Sequence, residues 1–155
     1  MTTYRIKRGR TKTGRRPGFL FVKPAIKKLV MFSQSCAHDV VHSHPGDLFG
    51  IRSLTGKRAI KFGWEYDHRF HQICLYAVRV EEGKTDQFVL GFVPLSVDVK
   101  LDMLMSDTYV VFSVSHEKKV ASMSKFVPFE FMNVGMEVLP TFPVKAPHNI
   151  EILID

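Results

Sequence analysis

Four side chains that could bind a metal ion stand within nine residues of one another: Cys36, His38, His42 and His44. Imidazole nitrogen and thiolate sulfur are ligands that zinc prefers in proteins. We therefore take His42 and His44 as candidate metal ligands, with Cys36 and His38 as further donors. Their spacing matches no known ligand pattern. The alternative is a polar loop whose histidines cap turns and contact water.

The segment His42-Ser43-His44-Pro45, with Ser53 after seven intervening residues, resembles the zinc-binding core of the JAMM family of metal-dependent isopeptidases. In that family two histidines and a downstream aspartate hold zinc, and an upstream glutamate is the general base. Here the aspartate position, three after Ser53, is Gly56, and no glutamate precedes Glu65. Because a catalytic zinc needs three protein ligands and an open position, the resemblance implies a metal-dependent hydrolase only through a degenerate motif.

Basic residues dominate the first 28 positions, which hold ten lysines and arginines and no acid. The other 127 residues hold 12 bases and 15 acids, so this segment makes the whole net charge of +7. Clustered positive charge attracts polyanions. One hypothesis is that residues 5–28 contact nucleic acid or another polyanion, with these leading candidates: Arg5, Arg8, Arg10, Lys12, Arg15 and Arg16. The alternative is a solvated, mobile loop over residues 8–18 that serves solubility alone.

The rest of the chain contains no complete catalytic signature. The segment Asp67-His68-Arg69-Phe70-His71 could contain a His/Asp acid–base pair, but a hairpin turn with solvated side chains is the favoured interpretation. No serine or cysteine has a nucleophile context such as GxSxG, and no phosphate-binding loop ends in GK[ST]. Glu65 has no clear partner for glycoside hydrolysis, which needs two carboxyl groups about 5–10 Å apart. The sequence therefore implies no catalytic residue and no cofactor.

Alternation of apolar and polar residues predicts nine or ten short strands. This indicates an all-β fold, an antiparallel β-sandwich of jelly-roll type, with a closed barrel as the second choice. Residues 1–155 are expected to form a single domain, with 24–28 as a short helix and 33–58 as a long irregular loop. The strand-like segments are 4–7, 19–22, 60–66, 72–80, 88–93, 95–105, 109–114, 119–123, 134–139 and 150–154. Of these, 19–22 is expected to be a buried strand; 29–32 is a further apolar run, and 115–117 is a turn.

The strand-like segment 60–66 supplies the clearest candidates for the core. Ile60, Phe62, Trp64 and Tyr66 alternate with residues that are mostly polar, so they should share one buried face, with Trp64 between the two sheets. Further residues expected to pack with them are Phe88, Leu90, Phe92, Val110 and Phe112. Stacking of Trp64, Tyr66 and Tyr76 on a sugar ring is the alternative. Cys36 and Cys74 are expected to be free, buried thiols.

Five short segments resemble a set of small uncharacterised bacterial and phage-borne proteins: 4–9, 48–51, 60–66, 73–77 and 146–152. The shared pattern is LFG, then FGW-Y, then LYA, with an APH-I ending. What the resemblance implies is a concanavalin-like sandwich, similar to lectins and glucanases. The group brings no established activity. A loop rich in arginine and lysine at residues 8–16 departs from its pattern.

The leading functional hypothesis is a non-enzymatic β-sandwich module for binding or structure. Its ligand would be a glycan or a protein partner in an assembly, with a phage particle and an oligomer as open settings. The alternatives are the metal-dependent hydrolase at His42 and His44, and nucleic-acid or polyanion binding by the basic segment. Because the sequence shows neither a secretory signal nor an apolar run long enough to span a membrane, we expect a cytoplasmic or phage-assembled protein.

Overall fold

The chain folds into two six-stranded antiparallel sheets. The computed structural model describes residues 1–116 and 119–155, including side chains except those of 119–123. In chain order the strands are β1 Thr2–Ile6, β2 Phe19–Phe21, β3 Ala25–Phe32, β4 Gly46–Arg52, β5 Arg58–Asp67, β6 Gln72–Glu81, β7 Lys84–Pro94, β8 Asp98–Met105, β9 Tyr109–His116, β10 Lys119–Pro128, β11 Val134–Val138 and β12 Ile150–Ile154. The first sheet has the order β1-β12-β3-β8-β9-β10, and the second β2-β11-β4-β5-β6-β7. The predicted all-β antiparallel sandwich is confirmed.

The core lies between the sheets, and Trp64 is only 1% exposed within it. Rings from both sheets meet there: Phe62 of β5 packs on Phe112 of β9 with centroids 4.8 Å apart, and Phe32 of β3 lies 5.7 Å from Trp64. Ile60, Phe62, Trp64 and Tyr66 are all buried, as strand alternation predicts. Leu90, Val110 and Phe112 are buried with them, and Phe88 is partly buried against the same cluster.

Phe92 corrects the predicted core, because its side chain is 40% exposed. The pairing of β6 with β7 shifts at this point: Leu75 is opposite Gly91, whereas Tyr76 is opposite Val89. Leu90 is therefore an extra residue in β7. After such a bulge, each side chain of the strand points to the sheet face opposite to the one that simple alternation predicts. Leu90 and Val93 point into the core as a result, and Phe92 points out.

Three local predictions are wrong. Residues 24–28 are not a helix: Pro24 precedes β3 and 25–28 belong to it, where Ile26, Val30 and Phe32 follow a strand period toward the core. The irregular loop expected at 33–58 contains β4. The run 19–22 is a strand, β2, but it is not buried, because Phe19 and Phe21 are 59% and 77% exposed.

Other predicted elements agree with the structure in position. The hairpin of β5 and β6 turns over residues 68–71, and β12 spans Ile150–Ile154 as expected. Of the turn expected at 115–117, Ser115 and His116 belong to β9, and residue 117 lies outside the described residues. Cys36 and Cys74 are free and buried. Over the part of the chain that is described, no helix has the length and apolar character that a membrane crossing requires.

Candidate functional site

The basic N-terminal loop is fastened to the segment that follows β11. The backbone N–H of Phe142 donates to the carbonyl of Thr11 at 2.8 Å, and Ala146 donates to Arg10 at 2.9 Å. Lys12 forms an isolated β-bridge with Thr141. The sequence predicted a mobile loop over residues 8–18, whereas its backbone is held by contacts to residues 141–146, near the other end of the chain. Lys12 and its neighbours are thereby given a fixed position.

A cavity of about 430 Å³ lies between this loop and the second sheet. Its lining brings together Lys12 and Arg15 from the loop, Arg52 from the end of β4 and Lys61 from β5. Strand β5 places Lys61 here because Ile60 and Phe62 on either side of it face the core. Bases from three separate segments therefore surround one space.

A second cavity of about 290 Å³ adjoins the first, because both are lined by Lys12, Asp47, Lys61 and Thr141. The second also reaches His44. We call the two cavities together the basic groove. The ammonium of Lys61 contacts Asp47 at 2.6 Å, so part of its charge is neutralised. Among the described residues, Lys12, Arg15 and Arg52 form no ion pair with an acid. The first cavity is lined by four bases and by two acids, Asp47 and Glu137, so its lining is positive on balance.

The six bases predicted for polyanion binding have different positions. Lys12 and Arg15 line the basic groove, and the Arg15 guanidinium also lies 4.8 Å from the centre of the Tyr4 ring. Arg5 is the one of the six that makes an ion pair within the described chain, with Glu151. The others, exposed and outside the groove lining, are Arg8, Arg10 and Arg16. Sequence reasoning missed Arg52 and Lys61, which lie beyond the basic segment.

The histidine-rich segment does not gather its side chains around a common point. The Nδ1 atom of His42 lies 2.8 Å from the backbone carbonyl of His44, and the Cys36 thiol donates to the carbonyl of Glu151 at 3.3 Å. Burial raises the pKa of Cys36 to about 12, which disfavours the thiolate that a metal needs. Across residues 1–116 and 119–155, no three side chains of His, Cys, Asp or Glu are grouped as a metal ion requires. His42 and His44 as ligands stay a prediction.

His38 is buried in an aromatic setting. Its ring lies 4.8 Å from that of Phe142 and 5.6 Å from that of Tyr66, measured between centroids. Nδ1 accepts a hydrogen bond from the N–H of Val40, and the buried Nε2 has no hydrogen-bond partner among the described residues. The pKa of His38 is lowered to about 4, mainly by burial and then by the neighbouring His42 and His148.

Glu65 has the polar partner that the sequence did not reveal. Tyr76, on the adjacent strand β6, donates its hydroxyl to Oε2 of Glu65 at 2.8 Å, and Nδ1 of His42 lies 3.8 Å from Oε1. Burial is the main cause that raises the pKa of Tyr76, so its proton stays on the phenol. Asp67, which was considered for an acid–base pair, instead accepts the N–H of Arg69, in agreement with the favoured interpretation of this segment as a turn.

The fold has counterparts among solved structures. A functionally unknown protein from Saccharomyces cerevisiae is 13% identical with a TM-score of 0.58, and the match covers 98% of this chain and 82% of that one. A xylan β-1,4-xylosidase from Bacillus halodurans is 11% identical with a TM-score of 0.55. That match covers 84% of this chain but 26% of the xylosidase, so the chain spans about a quarter of that enzyme. At such identities the likeness shows the β-sandwich fold alone.

No protein-family model matches the sequence, and no curated protein matches it.

Proposed function

We propose that this chain is a non-enzymatic β-sandwich binding module that holds an anionic polymer in the basic groove. The observation that carries the proposal is the convergence of Lys12 and Arg15, from the N-terminal loop, with Arg52, from the end of β4, around one cavity. Fixed cations attract an anionic chain and release its counterions when they contact it. Because two adjoining cavities continue the lining toward His44, the space suits an extended ligand better than a small ion.

The polymer is either an acidic glycan or a nucleic acid, and both offer the negative charge that the groove requires.

Other features stay predictions: a single domain over 1–155, a jelly-roll and concanavalin-like classification, kinship with the bacterial and phage-borne proteins, and a protein partner in a phage assembly. The xylosidase acts on xylan, and the shared fold makes a glycan a reasonable ligand to test. The metal-dependent hydrolase stays a prediction that no contact among the described residues favours.

The test measures binding of the purified chain to fluorescent heparin, to neutral xylan and to a 20-residue oligothymidylate, at 50 and 200 mM salt. We expect heparin binding to weaken on the order of ten- to a hundredfold between the two salt concentrations, as for about three ionic contacts. Neutral xylan should bind weakly or not at all, because it offers no charge.

Two triple variants with equal charge loss locate the site. Replacing Lys12, Arg15 and Arg52 with alanine should reduce heparin affinity at least tenfold. The matched control replaces Arg8, Arg10 and Arg16, which are exposed bases outside the groove lining, and should change the affinity little. Equal losses in the two variants would show attraction by net charge alone, and absence of binding to any anionic polymer would refute the function.

A further inference from the structure

Two phenylalanine side chains stand exposed at the edge of the second sheet. Phe19 and Phe21 of β2 are 59% and 77% exposed, and their rings meet edge to face with centroids 5.8 Å apart. Leu20 between them is only partly exposed. Large aromatic side chains are seldom left in water as a contiguous patch unless the patch contacts a ligand or partner.

The strand register places this aromatic pair on the same sheet face as the basic groove. Phe19 is paired with Met136 of β11, Met136 with Arg52 of β4, and Arg52 with Ala59 of β5. Directly paired residues in antiparallel strands point to the same side of a sheet. Arg52 and Ala59 line the groove, so Phe19 lies in the same cross-strand row, two strands beyond Arg52.

The chain itself also joins the groove to the aromatic pair. Arg15 and Pro17 line the larger cavity, and Phe19 follows Pro17 by two residues. A polymer that leaves the groove beside Arg15 and Arg52 therefore meets the two rings next. The surface offers cations first and then apolar π-faces, so its ligand should carry both anionic groups and flat rings.

Single-stranded nucleic acid has this combination of groups. Its phosphates are anions, and its unpaired bases stack on exposed aromatic side chains irrespective of sequence. An acidic glycan supplies the charge but no aromatic ring, and phenylalanine has no polar atom with which to bind sugar hydroxyls. A duplex keeps its bases stacked inside the helix.

We propose that Phe19 and Phe21 form a stacking platform for bases of single-stranded nucleic acid, whose phosphates occupy the basic groove at Lys12, Arg15 and Arg52. This inference rests on the proposed function and narrows its ligand. Successive outward residues in a strand lie about 6.6 Å apart, so each ring can receive a different base.

The experiment compares one polyanion that has bases with one that has none. Binding of a fluorescent 20-residue oligothymidylate and of heparin is measured for the wild type and for Phe19→Ala combined with Phe21→Ala. We expect the double variant to lose at least about tenfold in oligothymidylate affinity, since each base–aromatic stack contributes measurably, and to keep heparin affinity within twofold. A 20-base-pair duplex should bind the wild type more weakly than the single strand.

A matched control pair exists on the first sheet. Tyr109 and Phe126 are also exposed, with ring centroids 5.8 Å apart, so their replacement by alanine removes a similar aromatic patch away from the groove. That variant should leave both affinities unchanged. A second variant, with leucine at positions 19 and 21, keeps the apolar surface without a π-face and should lose oligothymidylate affinity as the alanine variant does.

The outcomes distinguish failure of the stacking platform from failure of the proposed function. If heparin binds in the groove but the variants at Phe19 and Phe21 leave oligothymidylate affinity unchanged, or reduce both affinities equally, the stacking platform is refuted and the basic groove stands. If those variants instead dissociate a dimer seen by light scattering, without changing oligothymidylate affinity, the aromatic pair is a protein interface. If the wild type binds neither polymer, the proposed function fails.

Discussion

The indole N–H of Trp64 donates a hydrogen bond to the backbone carbonyl of Thr141 at 3.1 Å. Thr141 lines both cavities of the basic groove, and its backbone and side chain are also hydrogen-bonded to Asp47 of β4. One side chain of the core thereby holds the segment to which the N-terminal loop is fastened. Core packing and the position of Lys12 are linked through this contact.

Trp64→Ala should destabilise the fold severely. Truncation of a large buried aromatic side chain costs roughly 3–5 kcal/mol, and the total free energy of unfolding of such a protein is about 5–15 kcal/mol. Urea unfolding followed by circular dichroism checks this, with Val89→Ala as a control, because Val89 is exposed on β7. A variant that folds normally and loses only ligand binding would make Trp64 a surface platform, contrary to its burial.

Gly46→Ala should loosen the same contact while leaving Trp64 itself unsubstituted. A Cβ atom at this position would lie 2.4 Å from the carbonyl oxygen of Thr141 and 3.0 Å from Nε1 of Trp64. Since the nearest atom is backbone, the chain must shift, and overpacking of this kind costs about 1–3 kcal/mol. Gly14→Ala is the matched control, because a Cβ there meets no atom within 4 Å. Equal unfolding midpoints for the two variants would contradict the expected clash.

The hairpin of β5 and β6 could be predicted because its alternation is strong and local. Strand β4 could not, since Gly46 and Gly50 interrupt its pattern, and Gly46 is required there by Thr141, a contact between residues 95 positions apart. Residues 24–28 were misread because proline suits a first helical turn, whereas pairing of β3 with β8 and β12 decides the conformation. Phe92 was misplaced because a bulge changes the strand period without a sequence signal.

Only part of the candidate site could be predicted from the sequence. The excess of positive charge identified Lys12 and Arg15, because a cluster of bases without acids is a property of composition. Arg52 and Lys61 stand among mixed charges, and only the register of β4 with β5 brings them beside the loop. The apolar run that contains Phe19 and Phe21 was interpreted as a buried strand. This was wrong because an apolar run alone does not show that its strand lies at the edge of a sheet.

His38 should make the folded chain less stable as the solution becomes acidic. Its pKa is lowered from 6.5 to about 4 in the folded chain, by burial first and then by His42 and His148, with Asp39 opposing them. As the pH falls, His38 is therefore protonated near pH 6.5 in the unfolded chain but only near pH 4 in the folded chain. Stability contributed by neutral His38 is complete above pH 7, falls between about pH 6.5 and 4, and is constant below that range.

The loss should be on the order of 3 kcal/mol, because each unit of pKa difference corresponds to about 1.4 kcal/mol. Urea unfolding at pH 7, 5.5 and 4 measures it. His38→Phe keeps a ring beside Phe142 and Tyr66 but cannot titrate, so it should remove most of the pH dependence. His44→Gln, at an exposed histidine, should keep the wild-type dependence. If His38→Phe and the wild type lose stability in parallel across this range, His38 is not the responsible group.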